Sequence, residues 1–265
     1  MSIFQTTLSL LCLSFFLFLF PSTNSLYFKI PRFEPNTEDI ACQGDAVFRV
    51  GAIELINKIN YLCRVGWATY PGKFPLYDPK TENLANFTTH FSFTIDTQDR
   101  PVYGHGIAFF LAPLGFQIPP NSAGGFLGLF NTTTTVDSPG GSGGSYPIVV
   151  VEFDSFPNPE WDPAVEHVGI NKNSISSAVY TPWNASSHSK DNTLVWISYD
   201  SRAKNLSVYW SYERTSSEAV TSLSYQIDLA KVLPQWVMVG FSAATGQYGS
   251  KHRLNSWEFN STLDI

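Results

Sequence analysis

The segment from Val151 to Ile170, VEFDSFPNPEWDPAVEHVGI, concentrates side chains that commonly ligate metal ions. The candidate ligands are Glu152, Asp154, Asn158, Asp162 and His167. Oxygen ligands alone suit Ca²⁺, whereas three carboxylates with one imidazole suit Mn²⁺ or another divalent transition metal. We therefore predict that this segment binds divalent cations. The alternative is an acidic surface loop with a solvated histidine.

The segment has a strand at each end and an irregular middle. An apolar strand is predicted over Ile148–Phe153, and another begins at His167. Three prolines between them exclude regular pairing, so the chain must run there as an ordered loop. Glu152 and Asp154 point to one face of the strand, and positions 154, 156 and 158 keep the alternate spacing of cation-binding loops.

Period-two alternation dominates the rest of the chain. Short segments rich in β-branched and aromatic residues, bounded by Gly, Pro, Asn or Asp, predict strands. They are Leu26–Phe33, Thr88–Ile95, Ile107–Leu111, Ile148–Phe153, Thr193–Tyr199, Leu206–Tyr212, Ser222–Leu229, Trp236–Ser242 and Leu254–Phe259. The best helical candidate is a single turn at Asp228–Leu233. Ser138–Ser145 is rich in Gly and is expected to be a surface loop, so the pattern predicts one all-β sandwich.

Length and charge limit the function classes. The 265 residues are 43% hydrophobic, which is enough for one large domain. The formal net charge is −6 and no basic cluster is present, so the chain lacks the electrostatic footprint of a nucleic-acid binder. No nucleic-acid partner is expected.

Residues 1–25 are predicted to be a signal peptide. An apolar run from Leu8 to Phe20 precedes Pro21 and small residues that suit cleavage by signal peptidase. The run is too short to span a bilayer, and no second run follows it. We expect a mature chain of residues 26–265 with no membrane span, secreted to the extracellular apoplast or the vacuole; a retained anchor is the alternative.

In a secreted chain, asparagine sequons are sites for glycosylation and pairs of cysteines are candidates for a disulfide. Sequons predict a glycoprotein modified at Asn86, Asn131, Asn184, Asn205 and Asn260. The mature chain keeps only Cys42 and Cys63. In an oxidising compartment these two form a bridge or stay as buried thiols on neighbouring strands, and the sequence leaves both alternatives open.

Several motifs spread over the mature chain resemble those of one known family. They include FKIPRFEPNTEDIACQGDA, VGWATY, NFTTHFSFTID, HGIAFFLAP, NSAGGFLGLFN, VEFDSFPNPEWDP, HVGINKNSI and LPQWVMVGFSAATG. The chain resembles the legume lectins, or L-type lectins, and more narrowly the lectin ectodomains of plant lectin-type receptor kinases. The resemblance implies a legume-lectin domain over residues 26–265 with an all-β, concanavalin-like jelly-roll sandwich.

The resemblance also implies roles for the metal ligands. The implied Mn²⁺ ligands are Glu152, Asp154, Asp162 and His167, with a coordinated water held by Ser177. The implied Ca²⁺ ligands are Asp154, Asp162, the side chain of Asn158 and the backbone carbonyl of Phe156. The ligands inferred from residue chemistry and those implied by the family therefore agree.

A shallow sugar pocket is implied beside the metals. The implied sugar-binding residues are His105, Gly125, Phe156, Asn158, Gly246, Gln247 and Tyr248. In this arrangement the amide NH₂ of Asn158 meets a sugar hydroxyl, and the Phe156 ring stacks on the apolar face of the pyranose. Gly125 offers a backbone N–H, and residues 246–248 shape the specificity loop. Taken singly, a Phe in the core or a Gly in a turn is the ordinary alternative.

One position departs from the family pattern. Where the family has an Asp held by a cis peptide, this chain has His105 between Gly104 and Gly106. A neutral imidazole accepts one hydrogen bond, whereas a carboxylate accepts several charge-assisted bonds of about 1.5–3 kcal/mol each. Without the Asp, one of two open outcomes is that the peptide reverts to trans and empties the Ca²⁺ site. The complete ligand set and the flanking glycines favour the opposite outcome.

The combined prediction is a secreted lectin that is not an enzyme, in which structural Ca²⁺ and Mn²⁺ support a sugar pocket. Its partners would be glycans or glycoproteins. The alternative is a lectin-derived defence or storage protein that lost sugar binding through His105. A β-glucanase using Glu152 and Asp154 is disfavoured, because Phe156 and Asn158 stand where another Glu is needed. The chain is expected to lack a kinase; homodimer formation and a membrane-receptor partner are left open.

Overall fold

The computed structural model describes residues 23–56, 62–132, 146–213 and 220–264. Residues 1–22 of the predicted signal peptide and the predicted loop Ser138–Ser145 lie outside these ranges. Within them, no helix is both long enough and apolar enough to cross a membrane.

Two antiparallel sheets make up the described part of the chain, which confirms the all-β prediction. Their strands are β1 (Thr23–Ile30), β2 (Ala41–Gly44), β3 (Val47–Arg49), β4 (Ala52–Glu54), β5 (Arg64–Thr69), β6 (Phe74–Pro75), β7 (Asn86–Asp96), β8 (Gly106–Pro113), β9 (Val149–Asp154), β10 (His167–Lys172), β11 (Ser177–Pro182), β12 (Thr193–Asp200), β13 (Asn205–Tyr212), β14 (Thr221–Gln226), β15 (Trp236–Thr245) and β16 (Lys251–Asp264). Short 3₁₀ helices occupy Gly124–Phe126 and Leu229–Lys231.

The two sheets pack face to face around an aromatic core. The first sheet has the order β14-β13-β12-β7-β16-β4-β3, with β1 paired to β16. The second sheet has the order β11-β10-β9-β8-β15-β5-β2, with β6 paired to β15. Rings from the two sheets meet at the centre, where Phe91 lies 4.7 Å from Phe241 and Phe93 lies 4.9 Å from Phe153 between ring centroids. The jelly-roll sandwich expected from the sequence is therefore present.

A second apolar cluster covers the outer face of the second sheet. It joins Trp67 and Phe110 of the sheet to Leu127 in the segment after the first 3₁₀ helix. The Trp67 indole N–H donates to the Gly128 carbonyl at 3.1 Å, and the Ser242 hydroxyl donates to the Leu127 carbonyl at 2.5 Å. This covering explains why β9 is buried at every position, while β12 alternates between buried and more exposed residues.

The nine predicted strands are present with shifted bounds. Leu26–Phe33 is instead Thr23–Ile30, and Ser222–Leu229 ends at Gln226. The predicted turn Asp228–Leu233 contains the 3₁₀ helix Leu229–Lys231. Strands β2 to β4 and β6 have two to four residues and alternate too few times to give a signal. Strands β5 and β11, of six residues each, were also not predicted from periodicity.

Neither expectation for the cysteines holds. Cys42 and Cys63 are free thiols rather than a bridge. Cys42 is half-buried in β2, and burial raises its pKa to about 11. Cys63 is exposed just before β5, where its backbone has φ 53°, so the two are not a buried pair on neighbouring strands.

The first strand begins before the predicted start of the mature chain. Thr23 pairs with Asp264 and Ser25 pairs with Thr262 in the β1 and β16 register. The cleavage after Ser25 stays a prediction.

Candidate functional site

The predicted metal ligands lie where three neighbouring strands of the second sheet begin or end. Asp154, the last residue of β9, is opposite Gly106 of β8 and His167 of β10. Two residues earlier, Glu152 is opposite Gly169. An added Cβ at Gly169 would overlap the Ser177 hydroxyl and lie 2.8 Å from Glu152 Oε1, so glycine there leaves room for the carboxylate.

Buried side chains join at Glu152. Its Oε1 lies 3.2 Å from His167 Nε2 and accepts a hydrogen bond of 2.5 Å from the Ser177 hydroxyl. Glu152 is 1% exposed and His167 is fully buried. Ser177, which the family resemblance assigned to a bound water, therefore contacts the Glu152 carboxylate directly.

The loop after β9 is closed by its own carboxylates. Asp154 Oδ1 accepts the Phe156 backbone N–H at 2.7 Å, and Asp162 Oδ2 accepts the Asn158 N–H at 2.7 Å. In return, the Asp162 N–H donates to the Asn158 carbonyl at 2.9 Å. These bonds hold Asp154, Asn158 and Asp162 in one ordered turn, as the proline spacing predicted.

The shifted pKa values of the site indicate that its buried carboxylates lie close enough to repel one another. Burial, then the charges of Asp162 and Glu152, raise the pKa of Asp154 well above its usual value. Burial also raises the pKa of Asp162 to about 7. Burial alone lowers the pKa of His167, but its hydrogen bond and charge interaction with Glu152 raise that pKa overall. A cation placed among these carboxylates would relieve their repulsion.

The side chains do not form a finished chelate. Within the described ranges, no group of three or more His, Cys, Asp or Glu side chains is arranged to hold a metal ion. The donor chemistry nevertheless fits a divalent cation, with three carboxylates and an imidazole in adjoining positions. Asn158 Oδ1 is also buried without a hydrogen-bond partner, as expected of an oxygen atom that coordinates a cation. Metal binding by these residues stays a prediction.

Glycines make a cradle for Asn158 and His105. An added Cβ at Gly125 would overlap Asn158 Oδ1 and lie 2.6 Å from Asn158 Cγ. An added Cβ at Gly246 would lie 2.5 Å from His105 Nε2, and one at Gly124 would lie 3.6 Å from the same atom. Residues from separate segments thus meet here, with Gly125 against the Asn158 amide and Gly124 and Gly246 against the His105 ring.

His105 is held in the conformation that the family pattern requires. The Gly104–His105 peptide is cis, so of the two outcomes left open by the sequence the structure has the one without reversion to trans. The His105 N–H donates to the Ala244 carbonyl at 2.9 Å, and the His105 carbonyl accepts from Ser155 N–H at 2.8 Å. Burial lowers the pKa of His105 to about 4, against a smaller opposing effect of the neighbouring Asn158 side chain, so the ring is neutral at physiological pH. Its Nδ1 is buried without a partner.

An aromatic wall borders the cradle. The Phe156 ring lies 4.6 Å from His105 and 5.6 Å from Tyr248 between centroids. Gln247 and Tyr248 are exposed, whereas Gly246 is buried. The Gly246 carbonyl accepts the Cys63 N–H at 2.9 Å, which ties this loop to β5.

Some supporting residues were not predicted from the sequence. Ser250 hydrogen-bonds both the Gly104 carbonyl and His252 Nε2 at 3.2 Å, beneath the cis peptide. Trp161, within the loop after β9, stacks on Phe126 with 5.3 Å between ring centroids. Gly124, with φ 72°, begins the 3₁₀ helix beside His105. Only the Gly124–Gly125 pair gives a sequence signal, because two adjacent glycines mark a close backbone approach.

The predicted glycosylation sites differ in exposure. Asn86, Asn184 and Asn260 are exposed and Asn205 is half-buried. Asn131 is buried, and its Nδ2 donates to the Pro120 carbonyl at 3.2 Å. Modification at all five remains a prediction, with Asn131 the least accessible in the folded chain.

Comparisons with known proteins agree with this geometry. The family model described as "Legume lectin domain" matches residues 25–265. The chain is 52% identical over 262 residues to "L-type lectin-domain containing receptor kinase IX.1" of Arabidopsis thaliana, covering 97% of this chain and 39% of that protein. It thus spans about two fifths of that receptor kinase.

Full-length relatives and solved structures are also similar. "Lectin 7" of Medicago truncatula is 41% identical, covering 94% of this chain and 93% of that protein. The seed lectin of Lotus tetragonolobus superimposes with a TM-score of 0.79 at 37% identity, covering 91% of this chain and all of that one.

Proposed function

The chain belongs to the legume lectin family, whose members and fold are carbohydrate-binding and non-enzymatic, and on that premise we propose that it binds glycans at the cradle around Asn158. The observation that carries this proposal is the position of the Asn158 amide against Gly125, with its Oδ1 buried without a partner and so available to a cation that would hold the amide in place for a sugar. A buried amide oxygen without a partner is costly unless a ligand completes it.

Metals would organise this site. Legume lectins generally bind calcium and manganese. In this chain Glu152, Asp154, Asp162 and His167 would hold Mn²⁺, and Asp154, Asp162, Asn158 Oδ1 and the Phe156 carbonyl would hold Ca²⁺. The bound ions would supply positive charge that neutralises crowded carboxylates and fixes the loop. The metals would therefore be structural rather than catalytic.

The protein groups would then recognise the sugar. With Oδ1 directed to a cation, the Asn158 NH₂ would face outward to a sugar hydroxyl, and the Gly125 N–H would donate to another. Phe156 is half-buried beside His105 and would stack on the apolar face of the pyranose. Gln247 and Tyr248 are exposed at the rim and would contact the next sugar unit.

A second candidate is a family member that has lost monosaccharide binding. The observation in its favour is the position of the His105 ring, which is 5% exposed and lies against Gly124 and Gly246. There the neutral imidazole both fills space and offers fewer acceptor lone pairs than a carboxylate.

A glycan array separates the two candidates. Wild-type chain, purified with Ca²⁺ and Mn²⁺, is compared with Asn158→Ala and with Gln226→Ala, an exposed amide on β14. Sugar binding in the wild type and in Gln226→Ala, with loss in Asn158→Ala, supports the proposal. A wild type that retains its metals but binds no glycan supports the second candidate.

The wider setting follows the family. We propose that the chain is secreted to the apoplast or vacuole after removal of residues 1–25, that it carries N-linked glycans, and that its partners are glycans or glycoproteins. Its likeness to receptor kinases suggests a receptor context. The sequence leaves homodimer formation open, and sedimentation of the purified chain would measure it.

A further inference from the structure

The outer face of the first sheet carries a row of aromatic side chains. The strand registers place Tyr209 of β13 opposite Trp196 of β12, and Trp196 opposite His90 of β7. Their strand neighbours, such as Val195 and Val208, are buried on the inner face. We call Tyr209, Trp196 and His90 the aromatic row. It runs across three adjacent strands of a sheet face that points away from the core.

The aromatic row is open to solvent in the isolated chain. Tyr209 is 43% exposed and Trp196 is 39% exposed, the latter being the most exposed of the seven tryptophans. The His90 ring stacks on Trp196 at 4.5 Å with a 9° interplanar angle, so the rings brace one another. Adjacent large rings left exposed on a sheet face usually mark a binding surface.

Small hydroxyl residues form the next row along the strands. The hydroxyl row consists of Ser224, Ser207, Ser198 and Thr88, which are direct neighbours on β14, β13, β12 and β7. Rings beside hydroxyls match the surface of a sugar, because sugars present apolar C–H faces to rings and hydroxyls to polar groups. The face therefore suits a carbohydrate.

Three of the five sequons lie on this same face. Asn260 of β16 is opposite Thr88 and so extends the hydroxyl row. Asn205 and Asn86 are each two residues beyond that row, on β13 and β7. Rows of outward side chains lie about 6.8 Å apart along a strand, and strands about 4.8 Å apart, so each Asn Cα is within roughly 15 Å of the aromatic row. Asn184, by contrast, lies beyond β11 of the second sheet.

We infer that the chain's own N-linked glycans at Asn86, Asn205 and Asn260 fold down onto the hydroxyl and aromatic rows and cover this face. The inference rests on glycosylation but not on sugar binding at Asn158, so either can fail alone. Three attached glycans bring carbohydrate to a face of matching chemistry at high local concentration, which favours contact even where each contact is weak.

The same arrangement excludes a second copy from this face. Packed sheets lie about 10 Å apart, which leaves no space for glycans between them. A chain that carries these glycans is therefore expected not to pair through the first sheet, although other faces stay available.

The test is hydroxyl-radical footprinting of the glycoprotein made in plant cells. The probe compares oxidation of Trp196 and Tyr209 in the wild type with that in the triple variant Asn86→Gln/Asn205→Gln/Asn260→Gln. Asn184→Gln is the matched control, since it removes a glycan from elsewhere. Tyr180 of β11, 50% exposed, is the internal reference. Endoglycosidase treatment of folded wild type gives the same comparison if the triple variant does not fold.

We expect oxidation of Trp196 and Tyr209 to rise several-fold when the three glycans are removed. Oxidation of Trp196 and Tyr209 should not change in Asn184→Gln, and oxidation of Tyr180 should not change in the triple variant. Equal oxidation of Trp196 and Tyr209 with and without the glycans would overturn the inference. It would also be overturned if mass spectrometry found that Asn86, Asn205 and Asn260 all lack a glycan. A glycosylated dimer in which Trp196 and Tyr209 are both protected would overturn it too, because a second copy would then be the occupant.

Discussion

Gly125→Ala probes the proposed site with a single methyl group. The φ angle of Gly125 is not positive, so alanine adds no backbone strain there. The new Cβ would overlap Asn158 Oδ1 and lie 2.6 Å from Cγ, whereas ordinary carbon contacts need about 3.5–4.0 Å. The Asn158 amide must therefore shift by roughly 1 Å to restore that separation.

A shift of that size removes the amide from both of its proposed partners. A hydrogen bond between the neutral amide and a sugar hydroxyl is worth about 0.5–1.5 kcal/mol, so we expect sugar affinity to fall about two- to tenfold. Ca²⁺ affinity should fall as well, because Oδ1 would no longer point to the cation site. Titration calorimetry with Ca²⁺ and then with the best glycan from the array measures both losses.

A double-mutant cycle provides the control. In an Asn158→Ala background the clashing amide is absent, so Gly125→Ala should have little further effect on Ca²⁺ affinity or melting temperature. Wild-type Ca²⁺ and sugar affinity in the Gly125→Ala single variant would refute the assignment of Asn158. Equal losses in both backgrounds would show that the methyl group acts elsewhere.

Three further outcomes follow from the same site. Asp154→Ala should lose both metals, because Asp154 serves both proposed ligand sets; elemental analysis showing two ions per chain would contradict this. In the chelated chain, the raised pKa of Asp154 and the Asp162 pKa of about 7 mean that the folded state binds more protons than the unfolded state between about pH 4 and 7. Melting temperature of that chain should therefore fall as pH rises through this window, and a rise would show that the carboxylates do not repel. His105→Asp should strengthen sugar binding by adding acceptor lone pairs, and calorimetry showing weaker binding would give the imidazole a role of its own.

Much of the fold could be predicted because alternation survives in the longer strands. Segments such as Thr193–Tyr199 and Leu206–Tyr212 have one buried and one outward face, so apolar and polar residues alternate along their sequences. Strand β9 was found as a continuous apolar run. The short strands and the 3₁₀ helix at Gly124–Phe126 could not be predicted, because their pairing depends on distant segments such as β15.

The ordered loop after β9 could be predicted from the sequence, whereas the residues that support it could not. The acidic and amide residues of the loop after β9 are close in sequence, so their spacing could be interpreted directly. The positions of His105 and Gly246 depend on strands that meet only in the folded sheet. The peptide before His105 shows the limit, since the sequence left the cis and trans forms both open and the structure has the cis form.

The central claim is that this chain binds glycans through a metal-organised Asn158. It is tested most directly by calorimetric titration of the wild-type chain with its best glycan in three states: loaded with Ca²⁺ and Mn²⁺, stripped with chelator, and reloaded. We predict that the metal-loaded chain binds the glycan, that the stripped chain does not, and that reloading restores binding. The Asn158→Ala variant should bind no glycan in any of the three states. Equal binding by the stripped chain, or by Asn158→Ala, would contradict the account.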